Sequence, residues 1–231
     1  MSGVILSFSG GADSTVLLHL ASKQFKHVHA VSFDYGQRHI KELCYAEQQL
    51  SLLDNITQYD ILSLPFINQY KTSALTNSDI NVPKTTQIIG DPQSAAYIPN
   101  RNMTFLSILI GIAEDRDIGT VWYGAAQADS VAGFYDGSPE FLAAINNVTS
   151  LNRRNKIRIE APLIDKSKKE IIKLGLELGV DFGHTWTCYE GVDKACGECT
   201  ACSLRLQGFI QAGVRDPLEY SKVIPWEKLL A

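Results

Sequence analysis

The sequence has no long hydrophobic run and no basic leader. Its longest apolar stretches, such as residues 105–113, are far shorter than the roughly 20 residues that a membrane-spanning helix needs. Residues 4–8 are followed at once by Ser9, Gly10 and Gly11, which indicates a strand and a turn rather than a secretory signal. We therefore expect a cytoplasmic protein with no membrane segment.

A basic excess is also missing. The chain has 21 Lys and Arg residues against 25 Asp and Glu residues, and its net charge is −4. Proteins that bind nucleic acids usually show a basic excess, so this balance disfavours a nucleic-acid partner. Hydrophobic residues make up 45% of the 231 residues and charged residues 20%, which excludes collagen-like, coiled-coil and disordered classes. A chain of this length can bury a core without disulfides.

Strand and helix patterns alternate along most of the chain. We predict strands at residues 4–8, 28–33, 56–62, 120–123 and 157–159, and helices at 14–21, 40–53, 103–114, 139–151 and 167–178. This alternation predicts an α/β fold with a doubly wound, mostly parallel, Rossmann-like sheet and right-handed crossovers. Polar residues 64–99 break the rhythm, and a loop of that length is usually functional or mobile.

A glycine-rich loop follows the first predicted strand. It reads Ser9-Gly10-Gly11-Ala12-Asp13-Ser14-Thr15 and leads into the first predicted helix. Adjacent glycines let backbone N–H groups converge on an anion, and a helix N-terminus adds partial positive charge. The loop lacks the Lys of a Walker A motif and the third glycine of a dinucleotide fingerprint. It predicts a phosphate site in which Asp13 could hold Mg²⁺; a tight turn with an Asp or Ser cap is the alternative.

Four of the five cysteines are crowded near the C-terminus. They are spaced Cys188-x7-Cys196-x2-Cys199-x2-Cys202, whereas Cys44 stands alone. In a cytosolic chain such crowding indicates a metal more often than disulfides. Four thiolates complete a structural zinc site, so we predict one Zn²⁺ per chain. An iron–sulfur cluster is the alternative, although a ferredoxin-type run would continue with Cys-Pro.

The glycine-rich loop resembles a known family. Ser9-Gly10-Gly11-x-Asp13-Ser14 after an N-terminal strand is similar to the pyrophosphate loop of the N-type ATP pyrophosphatases, the PP-loop superfamily. The resemblance implies an adenine nucleotide alpha hydrolase-like fold. It also implies that ATP is split between its α- and β-phosphates, and that a carboxylate or carbonyl oxygen is activated as an adenylate for a nitrogen or sulfur nucleophile.

Further motifs narrow the resemblance over nearly the whole chain. They are residues 32–39 (SFDYGQRH), residues 99–102 (PNRN), Glu140-Phe141, Pro162-Leu163, and the cysteine cluster followed by Leu204-Arg205. Together they resemble the 7-cyano-7-deazaguanine synthase family, which converts 7-carboxy-7-deazaguanine, ammonia and ATP into the nitrile precursor of queuosine-type nucleosides. The resemblance implies a carbon–nitrogen ligase, one zinc per subunit and a homodimer. We expect an ATP-binding catalytic domain at residues 1–180 and a zinc-binding region at 181–231.

The resemblance also implies roles for individual residues. The ATP site would comprise Phe8, Ser9, Gly10, Gly11, Asp13, Ser14, Thr15 and Phe33. The catalytic residues would be Asp13, Ser14, Arg101 and Lys166, and the substrate residues Tyr35, Gln37, Arg38, Asp129, Phe134 and Asp136. We expect Lys168, Lys169 and Lys173, which follow Lys166, to form a solvated helix face.

One segment departs from the family pattern. Residues 129–138 keep Asp129, Gly133 and Asp136 but lack the Pro, Cys and Arg usual in the family, and Asn100 stands where the family has Gly. We expect this segment to close over the base. The departure leaves the product open: the enzyme could stop at the amide or pass the acyl group to another amine, such as a protein amine. Two different functions are also compatible with the motifs, namely a tRNA thiolase of the same superfamily and a non-catalytic zinc module that binds a partner.

Overall fold

The protein is an α/β fold built on one parallel sheet. The computed structural model describes residues 3–84, 95–127, 129, 134–191 and 193–230. The strands are β1 (Gly3–Ser7), β2 (His27–Asp34), β3 (Ile56–Ser63), β4 (Thr120–Trp122) and β5 (Arg158–Glu160). The helices are α1 (Ala12–Gln24), α2 (Glu42–Leu50), α3 (Arg101–Asp115), α4 (Pro139–Thr149), α5 (Lys168–Glu177), α6 (Thr200–Ala212) and α7 (Trp226–Leu229). The predicted fold class is confirmed.

The strand order places a crevice in the middle of the sheet. The order is β3-β2-β1-β4-β5, and every pairing is parallel. The chain leaves β1 toward β2 on one side and later returns to pair β4 on the other side. In open parallel sheets, ligands bind beyond the carboxyl ends of the strands at such a reversal. The segments that follow β1, β2 and β4 therefore converge on one site.

Apolar side chains cover both faces of the sheet. Because successive side chains of a strand point to opposite faces, Val4 and Leu6 of β1 pack in one hydrophobic cluster and Ile5 packs in the other. The first cluster includes α1 and α5, and the second includes α3 and α4. Phe182 and Phe209, which lie in the predicted zinc-binding region 181–231, belong to the first cluster as well.

Helix α6 lies in the predicted zinc-binding region 181–231, for which the sequence pattern predicts no helix. The helix runs over Thr200–Ala212, and the side chain of its N-cap, Cys199, accepts a hydrogen bond from the N–H of Cys202. Gly213 ends the helix with φ +77°, a left-handed conformation that glycine adopts without strain. Helix α2 is also shorter than predicted, at Glu42–Leu50.

Two predicted helix starts are confirmed. Ser167 caps α5 through a capping box with Glu170, and Pro139 occupies the first turn of α4 after the cap Ser138. Within residues 64–99, Pro65–Gln69 forms a short 3₁₀ helix, and residues 85–94 lie outside the described part of the chain. None of the helices in the described ranges is long and apolar enough to cross a membrane.

Candidate active site and metal centre

A cavity of about 280 Å³ opens where β1, β2 and β4 end. Many of the sequence-predicted site residues line it. They are Phe8, Ser9, Gly11, Asp13, Ser14, Phe33, Tyr35, Arg101, Asp129, Phe134 and Asp136. The crevice predicted from the sheet topology is therefore a real cavity, and residues far apart in the sequence meet in it.

Hydrogen bonds from its own serine side chains fix the conformation of the glycine-rich loop. The Ser9 and Ser14 hydroxyls lie 3.0 Å apart, and the Gly11 N–H donates to Ser9 Oγ at 3.2 Å. Gly10 has φ +84°, and a Cβ there would lie 2.3 Å from the Glu42 carbonyl oxygen. Position 10 therefore requires glycine, because α2 packs directly against the loop. The loop and the N-terminus of α1 together form a cradle that suits an anion.

Asp13 lies in the first turn of α1 and is not a helix cap. The cap is Gly11, which has no capping side chain. Asp13 Oδ2 pairs with the ammonium of Lys168, whose side chain is only 17% exposed. The other oxygen, Asp13 Oδ1, is buried and has no hydrogen-bond partner among the described residues. The expectation that Lys168 belongs to a solvated face is wrong, because the first turn of α5 is packed against α1 here.

Aromatic side chains form two walls of the cavity. Phe33, at the end of β2, stacks on Phe105 of α3 with ring centroids 4.0 Å apart and planes 11° from parallel. Tyr97 faces Phe134 at 6.2 Å with the rings 23° from parallel. The Tyr135 hydroxyl donates to Asn100 Oδ1 at 2.6 Å. This hydrogen bond joins the altered segment, residues 129–138, to the start of α3. Flat ligands with π-systems suit such walls.

Charged side chains from the start of α3 and from the altered segment meet in one part of the cavity. Burial acts to lower the pKa of Arg101, but Tyr35 and Asp136 raise it above its ordinary value, so the guanidinium stays charged. Asp136 is only 6% exposed and accepts hydrogen bonds from Asn102, and burial raises its pKa. Burial likewise raises the pKa of Asp129 to about 6, and its Oδ2 accepts from the Ala126 N–H at 2.9 Å. Two carboxyls and one guanidinium therefore share this part of the cavity.

Two residues that the sequence prediction left without a role also line the cavity. Glu42, at the start of α2, and His39 are each 7% exposed. The His39 Nε2 and Glu42 Oε1 atoms lie 3.5 Å apart. Burial lowers the pKa of His39 to about 3 and raises that of Glu42 to about 8. His39 is therefore a neutral imidazole, and Glu42 titrates near neutral pH.

The raised pKa of Glu42 predicts a pH-dependent stability. Its folded-state pKa of about 8 lies above the ordinary value of 4.5, so the folded state binds more protons between these values and stability falls as pH rises through that window. We expect Glu42→Gln to raise the melting temperature at about pH 8.5 and to change it little at about pH 5. Thermal unfolding at both pH values checks this, with exposed Glu47→Gln on the same helix as control. An equal shift at both pH values would contradict the prediction.

Other predicted site residues do not line the cavity. Thr15 Oγ1 donates to the Gly11 carbonyl at 2.9 Å and is fully buried. Gln37 is buried and donates to the Phe33 carbonyl at 3.0 Å, which shapes the turn after β2. The exposed Arg38 donates to two carbonyls of the 64–99 segment, those of Asn77 and Ile80. Lys166 lies before α5, and its carbonyl accepts from the Gln127 N–H. Gly133, which residues 129–138 share with the family pattern, lies outside the described residues.

The four clustered cysteines come together as the sequence predicts. The four sulfur atoms all lie within 4.8 Å of one another, and those of Cys196 and Cys202 are 3.9 Å apart. Thiolates on one tetrahedral zinc lie about 3.8 Å apart, given Zn–S bonds of about 2.3 Å. Cys188 Sγ accepts backbone N–H donors from Gly191 at 3.0 Å and Cys196 at 3.2 Å. Donors aimed at a sulfur favour its thiolate, so the donor set fits a metal ion.

A buried ion pair links the cysteine cluster to the cavity. Arg205 of α6 is 1% exposed and donates to both oxygens of Asp216, at 2.7 and 2.9 Å. It also donates to Thr185 Oγ1 at 2.7 Å and to Thr187 Oγ1 at 3.2 Å. Thr187 lines the cavity, and Cys188, the first of the four clustered cysteines, comes directly after it. The cysteine cluster and Arg205 therefore fix one wall of the site.

The parallel sheet, the glycine-rich loop after β1 and the cavity at the strand reversal are the features of the PP-loop class of ATP-binding proteins. Residues 3–213 match the family described as "Queuosine biosynthesis protein QueC". The chain is also 42% identical over 217 residues to the 7-cyano-7-deazaguanine synthase of Alteromonas mediterranea, with 94% of this chain and 98% of that protein covered. It belongs to the 7-cyano-7-deazaguanine synthase family.

A second relative supports the same assignment. The 7-cyano-7-deazaguanine synthase of Pseudoalteromonas atlantica is 39% identical over 217 residues, which cover 94% of this chain and 98% of that protein. Among solved structures, the U34-tRNA thiolase NcsA from Methanococcus maripaludis with its 4Fe-4S cluster superposes with a TM-score of 0.52 at 14% identity, over 99% of this chain and 80% of that one. That likeness shows the fold alone. The predictions of a queuosine-biosynthesis family and a ligase forming carbon–nitrogen bonds are confirmed.

Proposed function

We propose that this protein uses ATP to adenylate the carboxylate of 7-carboxy-7-deazaguanine and ammonia to convert it to 7-cyano-7-deazaguanine. The observation that carries the proposal is one cavity that joins an anion cradle to a polar and aromatic base site. Ser9, Gly11 and Asp13 line it on the loop side, and Arg101 and Asp136 line it near the altered segment. A nucleotide and a flat acidic base can therefore meet within it.

ATP would bind with its phosphates at the glycine-rich loop. The N-terminus of α1 and the N–H groups of the loop stabilise phosphate oxygens, and Lys168 supplies a cation beside them. The Phe33–Phe105 stack offers an aromatic surface for adenine. Adenylation forms a bond from the substrate carboxylate to the α-phosphorus, and pyrophosphate leaves with the electron pair of the broken α–β phosphoanhydride bond. The protein contributes mainly position and charge.

The deazaguanine base would lie near the altered segment. A carboxylate matches the paired N–H donors of a guanine-type ring, and Asp136 is a buried acceptor in this cavity. Phe134 and Tyr97 supply a face for stacking. Arg101 would hold the substrate carboxylate or its adenylate as a charged donor. The Arg38 side chain donates hydrogen bonds to the Asn77 and Ile80 carbonyls. Arg38 would therefore contact the substrate only after its loop moves.

Two metals are proposed on the chemistry of their donors. Mg²⁺ keeps several waters and uses one or two carboxylates together with substrate phosphates. The orphaned Asp13 Oδ1 fits that role. Zn²⁺ fits the four cysteines, because their spacing suits one ion, whereas a multi-iron cluster would hold the sulfurs farther apart.

We also propose a cytoplasmic homodimer with the two regions 1–180 and 181–231.

Nitrile formation needs two dehydrations, and the altered segment supports a second candidate outcome. Acid becomes amide with loss of AMP, and amide becomes nitrile after a second activation. Residues 129–138 lack the usual Arg of the family, so the enzyme could stop at the amide or transfer the acyl group to another amine. The mass of the product separates nitrile, amide and conjugate.

The proposed activity predicts AMP and pyrophosphate as the nucleotide products. The purified protein is incubated with ATP, Mg²⁺, ammonium and the carboxylate, and the nucleotides are quantified by chromatography while the base is followed by mass spectrometry. We expect AMP rather than ADP, because the loop lacks the Walker lysine. AMP should form only when the carboxylate is present, because the carboxylate is the nucleophile that attacks the α-phosphorus. ADP as the sole nucleotide product would overturn the proposal.

Asp136→Asn is expected to weaken binding of the carboxylate substrate about tenfold or more, because one paired acceptor becomes a donor that faces the base N–H groups. ATP affinity should be kept. The Michaelis constants for the two substrates, measured separately, check this, and Asp129→Asn is measured beside it. Unchanged substrate constants in both variants would remove residues 129 and 136 from the base site.

A further inference from the structure

The hydrogen bond between Tyr135 and Asn100 lies beside the cavity rather than in it. The Tyr135 hydroxyl is 2.6 Å from Asn100 Oδ1, and neither of these two residues lines the cavity. Their neighbours in the chain do line it: Arg101 follows Asn100, while Phe134 and Asp136 flank Tyr135. The bond therefore joins two segments whose adjacent side chains face the proposed base site.

The backbone at Asn100 is unusual in a way that serves this contact. Asn100 has φ +53°, in the left-handed region that glycine adopts freely and asparagine tolerates. It is the N-cap of α3, yet within the described residues its side chain forms no capping hydrogen bond. An asparagine at an N-cap normally accepts from an N–H of the first turn. Here the side-chain oxygen accepts from Tyr135 instead, so a local stabilising contact has been exchanged for one between segments.

The same hydrogen bonds reach the two aromatic rings that face each other in the cavity. The Tyr97 hydroxyl accepts from the Asn100 N–H at 3.4 Å and also hydrogen-bonds Tyr135. The Tyr97 ring faces that of Phe134, with the centroids 6.2 Å apart. Because carbon atoms in contact lie about 3.5 Å apart, this spacing is within about 1 Å of what a flat ring between the two would need.

We propose that Asn100 and Tyr135 are positioning residues for the deazaguanine base. Their hydrogen bond holds Phe134 and Asp136 against the start of α3, beside Arg101, before the substrate binds. A site that is ordered in advance binds more tightly, because less conformational entropy is lost on binding. This inference rests on the proposed function, in which the base lies near the altered segment.

The Tyr135 hydroxyl can be removed without removing the other contacts of this segment. The Tyr135 ring packs edge-on against Phe141 of α4, with the centroids 5.5 Å apart. Asp136 separately accepts hydrogen bonds from Asn102. The bond to Asn100 is thus a second attachment of the segment to α3, and we expect its loss to loosen the site while the protein stays folded.

Binding of 7-carboxy-7-deazaguanine tests the proposal directly. It is measured by calorimetry with the uncleavable analogue α,β-methylene-ATP present. We expect Tyr135→Phe and Asn100→Gly each to weaken binding about three- to tenfold, the effect of one lost hydrogen bond. The double variant should lose no more than Tyr135→Phe alone, because both changes remove the same bond. Affinity for the analogue should stay at the wild-type value, as should carboxylate-dependent exchange of labelled pyrophosphate into ATP at saturating carboxylate.

Two variants away from the cavity are matched controls for these changes. Tyr70→Phe removes the hydroxyl of a tyrosine that does not line the cavity. Asp117→Gly places glycine at another left-handed position, φ +58°, just beyond the opposite end of α3. Both controls should bind the carboxylate as the wild type does.

The outcomes separate this inference from the proposed function. Unchanged carboxylate affinity in both Tyr135→Phe and Asn100→Gly would overturn the positioning role alone. An equal loss of carboxylate and nucleotide affinity in the folded variants would also overturn it, because a general disturbance of the cavity predicts that pattern. A wild type that binds the carboxylate but shows no exchange would overturn only the proposed function, and one that binds no carboxylate would overturn both.

Discussion

Cys199→Ser should remove the bound metal and unfold the C-terminal region. Cys199 is fully buried, its sulfur lies with those of Cys188, Cys196 and Cys202, and its side chain also caps α6. Zinc contributes about 10–16 kcal/mol of binding free energy in zinc-finger peptides, and that free energy belongs to folding. A hydroxyl is a poor substitute for a thiolate ligand. We therefore expect a loss of nearly all soluble protein.

The same substitution should reach the active site. Trp186 donates its backbone N–H to the Gly10 carbonyl at 3.0 Å, and Thr187 lines the cavity just before Cys188. Any soluble Cys199→Ser protein should therefore lose ATP turnover along with metal. Elemental analysis and gel filtration measure the first effect, and AMP formation measures the second.

Cys44→Ser is the matched control, because Cys44 is exposed and lies outside the cluster. It should keep one zinc per chain and wild-type yield. Iron and sulfide in the purified wild type would exclude the zinc site and favour the thiolase alternative. Full yield and turnover in metal-free Cys199→Ser would show that the cluster is not needed for folding.

The sequence predicted the fold well because its signals are local. Each of the five strands and α1 to α5 follow from apolar periodicity and from turn or cap residues such as Gly10, Pro139 and Ser167. Helix α6 is not evident from the sequence, because Cys199 and Cys202 form a ligand pattern that also starts the helix, with Cys199 as its cap.

The candidate site was predicted only in part. Asp13 and Asp136 carry recognisable chemistry in motifs, but Lys168 does not, because its role depends on where α5 packs. Glu42 is invisible for the same reason: a glutamate at a helix start is normally a solvated, favourable charge. Its burial arises from the close approach of α2 to Gly10, which no local pattern reports. Tertiary packing therefore decides which charged side chains are buried beside the candidate site.

Asp13→Asn should lower AMP formation about 100- to 1000-fold, the effect expected when a charge that organises phosphate is removed. The variant keeps the size of the side chain and removes its charge. It leaves the Lys168 ammonium, only 17% exposed, without its anion, and it leaves a neutral amide in place of the carboxylate whose Oδ1 we assign to Mg²⁺. The Mg²⁺ concentration that gives half-maximal turnover should rise as well.

Lys168→Met separates the two roles of Asp13, and Lys169→Met, at the exposed neighbouring position on α5, is its control. If Asp13 acted only by placing Lys168, the two single variants would lose the same activity, the double variant would lose no more, and the Mg²⁺ requirement would stay unchanged. We expect Lys168→Met to weaken ATP binding with an unchanged Mg²⁺ requirement, and Asp13→Asn to change both. Initial rates over a grid of ATP and Mg²⁺ concentrations measure this. Wild-type turnover in a folded Asp13→Asn variant would reduce Asp13 to an acidic residue in the first turn of α1.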